Sequence, residues 1–284
     1  MSTTGVPGPD PYAFATDRDE EERRLLVQAQ LFETMTEEML RQAGLGPGMR
    51  VIDLGSGPGD MAMLAARLVG PGGSVLGVER APEQVVTARK RVAGLGIDNV
   101  MFREGDVAAI AEVLAEHPGP VDAVIGRCIY MWVPGRGEVL RTLAEKLPPG
   151  ALVFALEPDT TYDFALPAGP LWQQMQQRWF LAALEGLGAE RRMGPRLYHA
   201  FVEAGLPAPT LETRSIMRGP ADAPLWFWVN IIRAIQPVLA ELGLATADEL
   251  GIDTLEDRLR AELVAHNAVG IVPPMTGAWS RIPG

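Results

Sequence analysis

The chain has 284 residues, 47% of them hydrophobic, with 36 acidic against 25 basic side chains and a formal net charge of −11. That is apolar material for one large domain or two small ones, while the acidic balance, with no basic run longer than Arg89-Lys90-Arg91, argues against the concentrated positive surface that nucleic acid requires. A single cysteine, Cys128, excludes an intramolecular disulfide and a multi-cysteine zinc site, and His117, His199 and His266 show no metal-ligand spacing, so no metal is expected.

Met1 to Pro11 is polar and rich in Gly and Pro, without the basic start and apolar run of a signal peptide. No uncharged apolar stretch approaches the roughly 18 residues of a membrane helix, so no membrane partner and a cytoplasmic location are expected. From Asp19 to Ala43 apolar residues fall at Leu25, Ala29, Phe32, Met35, Met39 and Ala43, one face of a helix that Gly44 and Gly46 end. Strand-like runs then appear at Val51–Leu54, Ser74–Glu79, Val100–Glu104, Val121–Gly126 and Ala151–Leu156. Helical patterns separate them at Asp60–Val69, Pro82–Leu95, Val107–His117 and Glu138–Leu147. Parallel neighbours can be joined only by crossing a face of the sheet, so this alternation predicts a doubly wound α/β fold.

Beyond Leu156 the pattern changes. Leu171–Leu187 reads as a helix bearing Trp172, Met175, Trp179 and Phe180, and Arg196–Ala204 as another. Thr210–Met217 alternates like a strand, and Pro224–Leu242 is an apolar helix with a kink expected at Pro237. Thr246-Ala247-Asp248-Glu249 has the capping-box pattern, and Thr254 is expected to cap a helix reaching His266. Val269–Val272 and Met275–Ser280 form a last strand broken by Pro273-Pro274, which predicts an edge position.

The chemistry centres on Val51-Ile52-Asp53-Leu54-Gly55-Ser56-Gly57-Pro58-Gly59, a strand, a tight turn and a helix starting at Asp60. Glycines there supply positive φ and let a ligand approach the backbone. In an open parallel sheet, ligands sit outside the carboxyl ends of the strands, where this chain places Asp53, Glu79, Asp106 and Arg127. Glu79, 26 residues after Asp53, stands where a carboxylate can take both hydroxyls of a ribose; the plainer alternative is an exposed strand end paired with Arg80. Gly105-Asp106 can supply an acceptor for an adenine amino group, and Asp106 can also cap the helix from Val107.

These residues resemble the class I methyltransferases that use S-adenosylmethionine. Asp53-Leu54-Gly55-Ser56-Gly57-Pro58-Gly59 matches their D-x-G-x-G-x-G motif, Glu79 the second-strand acid, Gly105-Asp106-Val107 the adenine-side motif and Pro148-Pro149-Gly150 the turn before strand five. Over roughly residues 20 to 160 the chain looks most like the bacterial branch akin to ubiquinone and menaquinone C-methyltransferases. The resemblance implies a seven-stranded Rossmann-like sheet whose last strand is antiparallel, with Thr210–Met217 and Met275–Ser280 as strands six and seven. It divides the chain into an N-terminal segment and lid helix (1–44), a cofactor-binding core (45–158 with 194–218 and 269–284) and helical cap insertions at 159–193 and 219–268.

By the same resemblance the cofactor is held by the Asp53 to Asp60 turn, by Glu79 and Arg80, by Gly105 to Val107, and by Arg127 and Cys128, with Tyr12 and Gln28 closing over it. Arg127 departs from the Asn or Asp common at that point; folding back onto Asp53 or Glu157 and meeting an acidic substrate are both open. Methyl transfer is an in-line displacement and needs no protein base when the acceptor is already nucleophilic. Candidates for one are His199, Tyr130, Glu157 and Asp159. Met131, Trp132, Asp159, Trp172, Trp179, Trp226, Trp228 and Asn230 are candidates for the substrate cavity, whose aromatic character suits a small lipophilic metabolite.

The partner is thus a small molecule, the product S-adenosylhomocysteine, and a homodimer is left open. A nicotinamide-dependent oxidoreductase is the first rival, but it prefers G-x-G-x-x-G, whereas Gly55, Gly57 and Gly59 are evenly spaced and Asp60 follows. The second is a fold that keeps the cofactor without moving its methyl. A lone cysteine weighs against a thiol-relay arsenic methyltransferase.

Overall fold

The computed structural model describes residues 31–284. Tyr12, Gln28 and the start of the helix expected from Asp19 lie outside them. Residues 31–42 are helical (α1) and bury Phe32, Met35 and Met39 of the apolar stripe read from the sequence, together with Leu40. There follow β1 (Arg50–Leu54), α2 (Asp60–Val69), β2 (Ser74–Glu79), α3 (Pro82–Leu95), β3 (Val100–Glu104), α4 (Ile110–Glu116), β4 (Ala123–Arg127), α5 (Arg136–Lys146) and β5 (Leu152–Pro158). Next come β6 (Ala165–Leu166), α6 (Pro170–Gln173), a π-helical stretch (Gln174–Leu181), α7 (Ala182–Gly186), α8 (Met193–Glu203) and β7 (Thr210–Arg214). The remainder is β8 (Met217–Arg218), α9 (Leu225–Ala234), α10 (Gln236–Glu241), α11 (Ala247–Leu250), α12 (Ile252–Ala265), β9 (Val269–Ile271) and β10 (Met275–Arg281).

The described chain forms two compact units. The first comprises residues 31–159, Arg192–Arg214 and Met275–Gly284. Its seven-stranded sheet runs β3-β2-β1-β4-β5-β10-β7, with β1 to β5 parallel and β10 antiparallel to both of its neighbours. Every residue of β5 is buried, as is expected of an inner strand covered on both faces. Strand order reverses between β1 and β4, which makes the carboxyl ends of those strands the place for a ligand.

The second unit comprises Thr160–Arg191 and Ser215–Pro274 and holds a three-stranded sheet, β6-β9-β8, with its own helices. Trp228 is the centre of its core: it stacks on Phe164 at 4.1 Å between ring centroids and meets Phe180 edge-on at 5.5 Å and Trp172 at 6.3 Å. Two of the buried indoles here find carbonyls, Trp228 Nε1 donating to Ile271 O and Trp172 Nε1 to Leu259 O, each at 3.2 Å, while the buried Trp179 Nε1 has no partner. Glu262 accepts from the Leu171 and Trp172 N–H groups at 2.9 and 2.8 Å, which caps α6 from a distant helix.

Several expectations change. The last strand is not at an edge: β10 lies between β5 and β7, because Pro273-Pro274 falls in the connection from β9 and removes no donor from either ladder. Thr210–Met217 is two strands in different sheets, β7 and β8. Pro237 starts a helix rather than bending one: α9 stops at Ala234, and Pro237 sits in the first turn of α10, where its missing N–H costs nothing. Thr254 lies inside α12 and its hydroxyl donates back to Gly251 O at 3.1 Å, while Gly251, with φ of 50°, joins α11 to α12. The capping box at Thr246 and Glu249 is formed as read. No described helix is long and apolar enough to cross a membrane.

Candidate cofactor and active site

At the end of β1 the backbone enters a turn that only glycine can make. Gly55 and Gly59 have φ of 61° and 91°, and a β-carbon there would stand 2.4 Å from Ile129 Cδ1 and 2.7 Å from Phe102 Cζ respectively. Gly57 differs: nothing lies within 4 Å of its missing side chain, so the middle of the turn is open to an approaching ligand.

Neighbouring strands fix the turn. The Gly57 N–H donates to Glu79 Oε2 and the Ala81 N–H to Glu79 Oε1, both at 2.9 Å, so the acid that closes β2 is fully buried and holds both chain segments. Arg91 of α3 donates to Pro58 O at 2.6 Å and to Asp60 Oδ1 at 2.8 Å, which engages one oxygen of Asp60 with protein. Gly77 leaves room for Phe102 and for the Ser56 hydroxyl, 2.4 and 2.8 Å from its missing β-carbon. Arg91, Phe102 and Ile129 were not legible as site residues, but a glycine inside the apolar β2 marks a close approach and was the one available signal.

Asp53 is 1% exposed and neither of its carboxylate oxygens completes a hydrogen bond; the buried Ser56 hydroxyl has no partner either. A buried acceptor without a donor is costly unless a ligand supplies one. Burial raises the Asp53 pKa to about 8; the Arg127 charge pulls it back, Glu79 and Asp60 push it further up, and the nearby Ala62 N–H gives a smaller lowering. Arg127, half-buried at the end of β4, therefore acts on Asp53, whereas the cation acting on Glu157 is Arg136.

Glu157, at the end of β5, accepts from three consecutive N–H groups: Ile129 and Tyr130 on Oε1 at 2.9 Å each, and Met131 on Oε2 at 3.2 Å. Burial raises its pKa to about 7 against the lowering effect of those bonds and of Arg136. The Tyr130 hydroxyl is buried without a partner, and burial, helped by the Glu157 charge, pushes its pKa upward, so it stays protonated at neutral pH. Cys128 precedes this turn in left-handed backbone, φ 55°, with its N–H on Leu156 O at 2.9 Å.

The strand ends thus gather Asp53, the glycine turn, Glu79, Gly105 to Val107, Arg127 to Trp132, Glu157 and Asp159 in one unit. Asp106 is exposed and caps the following turn by accepting from the Ala108 N–H at 2.8 Å, while the Gly105 N–H reaches Glu79 O at 3.0 Å. Arg80 is exposed, Asp159 and Met131 are buried, and Trp132 is half-buried. His199 lies on the exposed side of α8 with Tyr198 edge-on at 5.6 Å. In the second unit Trp172 and Trp179 are core residues, and Trp226 and Asn230 on α9 are half-buried.

The two raised carboxyls make stability depend on pH. Both native groups hold protons that the unfolded chain has released, over pH 3.8 to about 8 for Asp53 and 4.5 to about 7 for Glu157, so their contribution is complete in acid and is lost as pH rises. We expect the urea midpoint of the ligand-free protein to fall between pH 5 and pH 8, and Asp53→Asn to flatten that slope; an equal slope in the variant would refute the assignment.

A glycine turn open at its centre, above a buried acid and beside a second acid on the next strand, at the switch point of a parallel sheet, defines a Rossmann-like nucleotide-cofactor unit. A family model described as a methyltransferase domain matches residues 45–203, more than half of the chain. The chain belongs to that family, the class I methyltransferases that use S-adenosylmethionine. It is 38% identical over 111 residues to an arsenite methyltransferase of Halobacterium salinarum, covering 39% of this chain and 27% of that one. It is 32% identical over 173 residues to the 2-phytyl-1,4-naphtoquinone methyltransferase of Synechococcus elongatus, covering 57% of this chain and 65% of the relative. The chain thus spans about a quarter of the first relative's length and less than two thirds of the second's. The fold is shared with the YcgJ protein from Bacillus subtilis, at a TM-score of 0.53 and 13% identity over 88% of this chain and 99% of that one.

Proposed function

We propose that this protein transfers the methyl group of S-adenosylmethionine to a small organic acceptor. The observation that carries the reading is Asp53, buried and without a donor beneath the open centre of the glycine turn, with Glu79 on the adjacent strand. Glu79 is assigned to the ribose hydroxyls, the turn at Gly57 to the methionine portion, Asp53 to its cationic end and Asp106 to the adenine amino group. Bound there, the cofactor supplies an electrophilic methyl group on a sulfonium. The residues' part is to fix the reacting atoms in line, and such positioning can lower a barrier by roughly 7–11 kcal/mol.

The proposal needs no protein base. Glu157 is engaged with backbone, the Tyr130 phenol stays protonated and His199 is exposed. The acceptor is accordingly one that is already nucleophilic. Arsenic, a soft acceptor, is normally held by several thiolates, and this chain has one cysteine; a carbon, oxygen or nitrogen centre on an apolar metabolite fits better. Of the candidates in the second unit, Trp226 and Asn230 keep part of their surface exposed while Trp172 and Trp179 do not.

Calorimetry with S-adenosylhomocysteine tests the reading. One molecule should bind per chain, and Gly57→Val, which fills the open centre of the turn, should abolish binding. No binding by the unaltered protein, together with an absorbance response to reduced nicotinamide cofactors, would replace the proposal with an oxidoreductase.

A further inference from the structure

The turn after β4 is held in an unusual way. It begins with Cys128 in left-handed backbone, and its next three N–H groups all point at one buried carboxylate on the adjacent strand. The first of those residues, Ile129, packs its side chain where the β-carbons of Gly55 and Gly126 would otherwise be, 2.4 and 2.8 Å from its nearest atoms. Glu157 and the glycine turn therefore grip the same residue, one by its backbone and the other by its side chain.

We infer that Glu157 is a positioning residue whose charged carboxylate fixes the 129–131 turn and, through Ile129, the shape of the Gly55–Gly59 turn. The functional half of this rests on the reading that the glycine turn binds S-adenosylmethionine; the geometric half does not. Ionised, the carboxylate is acceptor-only and can serve all three N–H groups. Protonated on Oε2, it presents a hydroxyl toward the Met131 N–H, two donors face each other, and the far end of the turn is released while Ile129 and Tyr130 stay bound to Oε1.

The groups around it fit this role. Tyr130 faces it from the turn itself and Arg136 from α5. On β10 its register partner is the uncharged Thr276. On α8 the close approach is made by Gly194, where a β-carbon would stand 3.2 Å from the Glu157 carbonyl and 2.9 Å from the Thr276 hydroxyl. With its pKa raised to about 7, the carboxylate changes charge near neutral pH.

Amide resonances test this without any variant. In the unaltered protein the Ile129, Tyr130 and Met131 amide protons should titrate together with a midpoint near neutrality, Met131 moving most; Asp53→Asn should leave that titration in place and Glu157→Gln should remove it. Glu157→Gln should also weaken S-adenosylhomocysteine binding by about tenfold, the effect of losing one charged hydrogen bond. Ile129→Ala should weaken binding comparably, and the double variant should bind no worse than the weaker single variant, since residues acting in series are not additive. Amides that do not titrate, or Glu157→Gln binding like the unaltered protein, would overturn the inference. Absent binding in the unaltered protein would instead overturn the cofactor reading, with the amide titration still deciding whether Glu157 fixes the turn.

Discussion

Glu79→Ala should weaken S-adenosylhomocysteine binding by about a hundredfold or more and lower the unfolding free energy by about 2–3 kcal/mol. Two effects combine. In the ligand-free protein the substitution leaves the Gly57 and Ala81 N–H groups without their acceptor in a site where Glu79 is fully buried, and an orphaned buried donor costs about 1–3 kcal/mol. In the complex it also removes the carboxylate assigned to the ribose hydroxyls. Glu79→Gln separates the two, because an amide keeps one acceptor oxygen but turns a donor toward the other N–H; it should fall between alanine and the native acid in both measurements. Calorimetry and urea unfolding on the same samples check this, and a loss of stability with unchanged affinity would remove Glu79 from the cofactor site.

Trp228→Ala should be the most destabilising single change in the second unit, about 3–5 kcal/mol. The indole is almost fully buried and touches the rings of Phe164, Phe180, Trp172 and Phe227, so truncation opens a cavity where several aromatic faces meet. It also frees the Ile271 carbonyl in β9, the central strand of the small sheet. Trp228→Phe keeps most of the ring contact and loses the N–H, and should cost less than half as much. Near-ultraviolet circular dichroism and urea unfolding would measure both; an alanine variant as stable as the phenylalanine one would mean that ring packing is not what holds the unit.

Much of the first unit could be read from the chain because its signals are local. Four apolar runs between glycine and polar punctuation became β1, β2, β4 and β5 within two residues, and α2 and α3 have the expected bounds, since burial on both faces leaves continuous apolar strands. Reading failed where structure depends on distant partners. β6 and β8 are two residues each, too short for any alternation, and exist because β9 lies between them. The π-helical stretch at Gln174–Leu181 keeps nearly the same apolar spacing as an α-helix and leaves no trace in the sequence.

The site divides in the same way. Asp53, the glycines and Glu79 stand at strand ends that the periodicity marks, so they could be named in advance. The engagement of Glu157 by three backbone N–H groups could not, because it depends on how the chain turns after Cys128, 29 residues earlier. The same residue that reads as a candidate base from its place in the chain is, in three dimensions, a fastening for backbone.

The position of β10 has a consequence for biosynthesis. Residues 275–281 lie between β5 and β7, and among the described residues β7 pairs in the sheet only through them. While a ribosome is still making 215–274, strands β1 to β5 can already pair, but β7 has no neighbour and β5 presents an open edge of buried apolar residues. The sheet closes only when a strand inserts between two segments made earlier, pairing with both in the opposite direction. Nascent chains halted before residue 275 should therefore be the aggregation-prone species, and those extended past 281 and clear of the exit tunnel the first to hold the complete sheet.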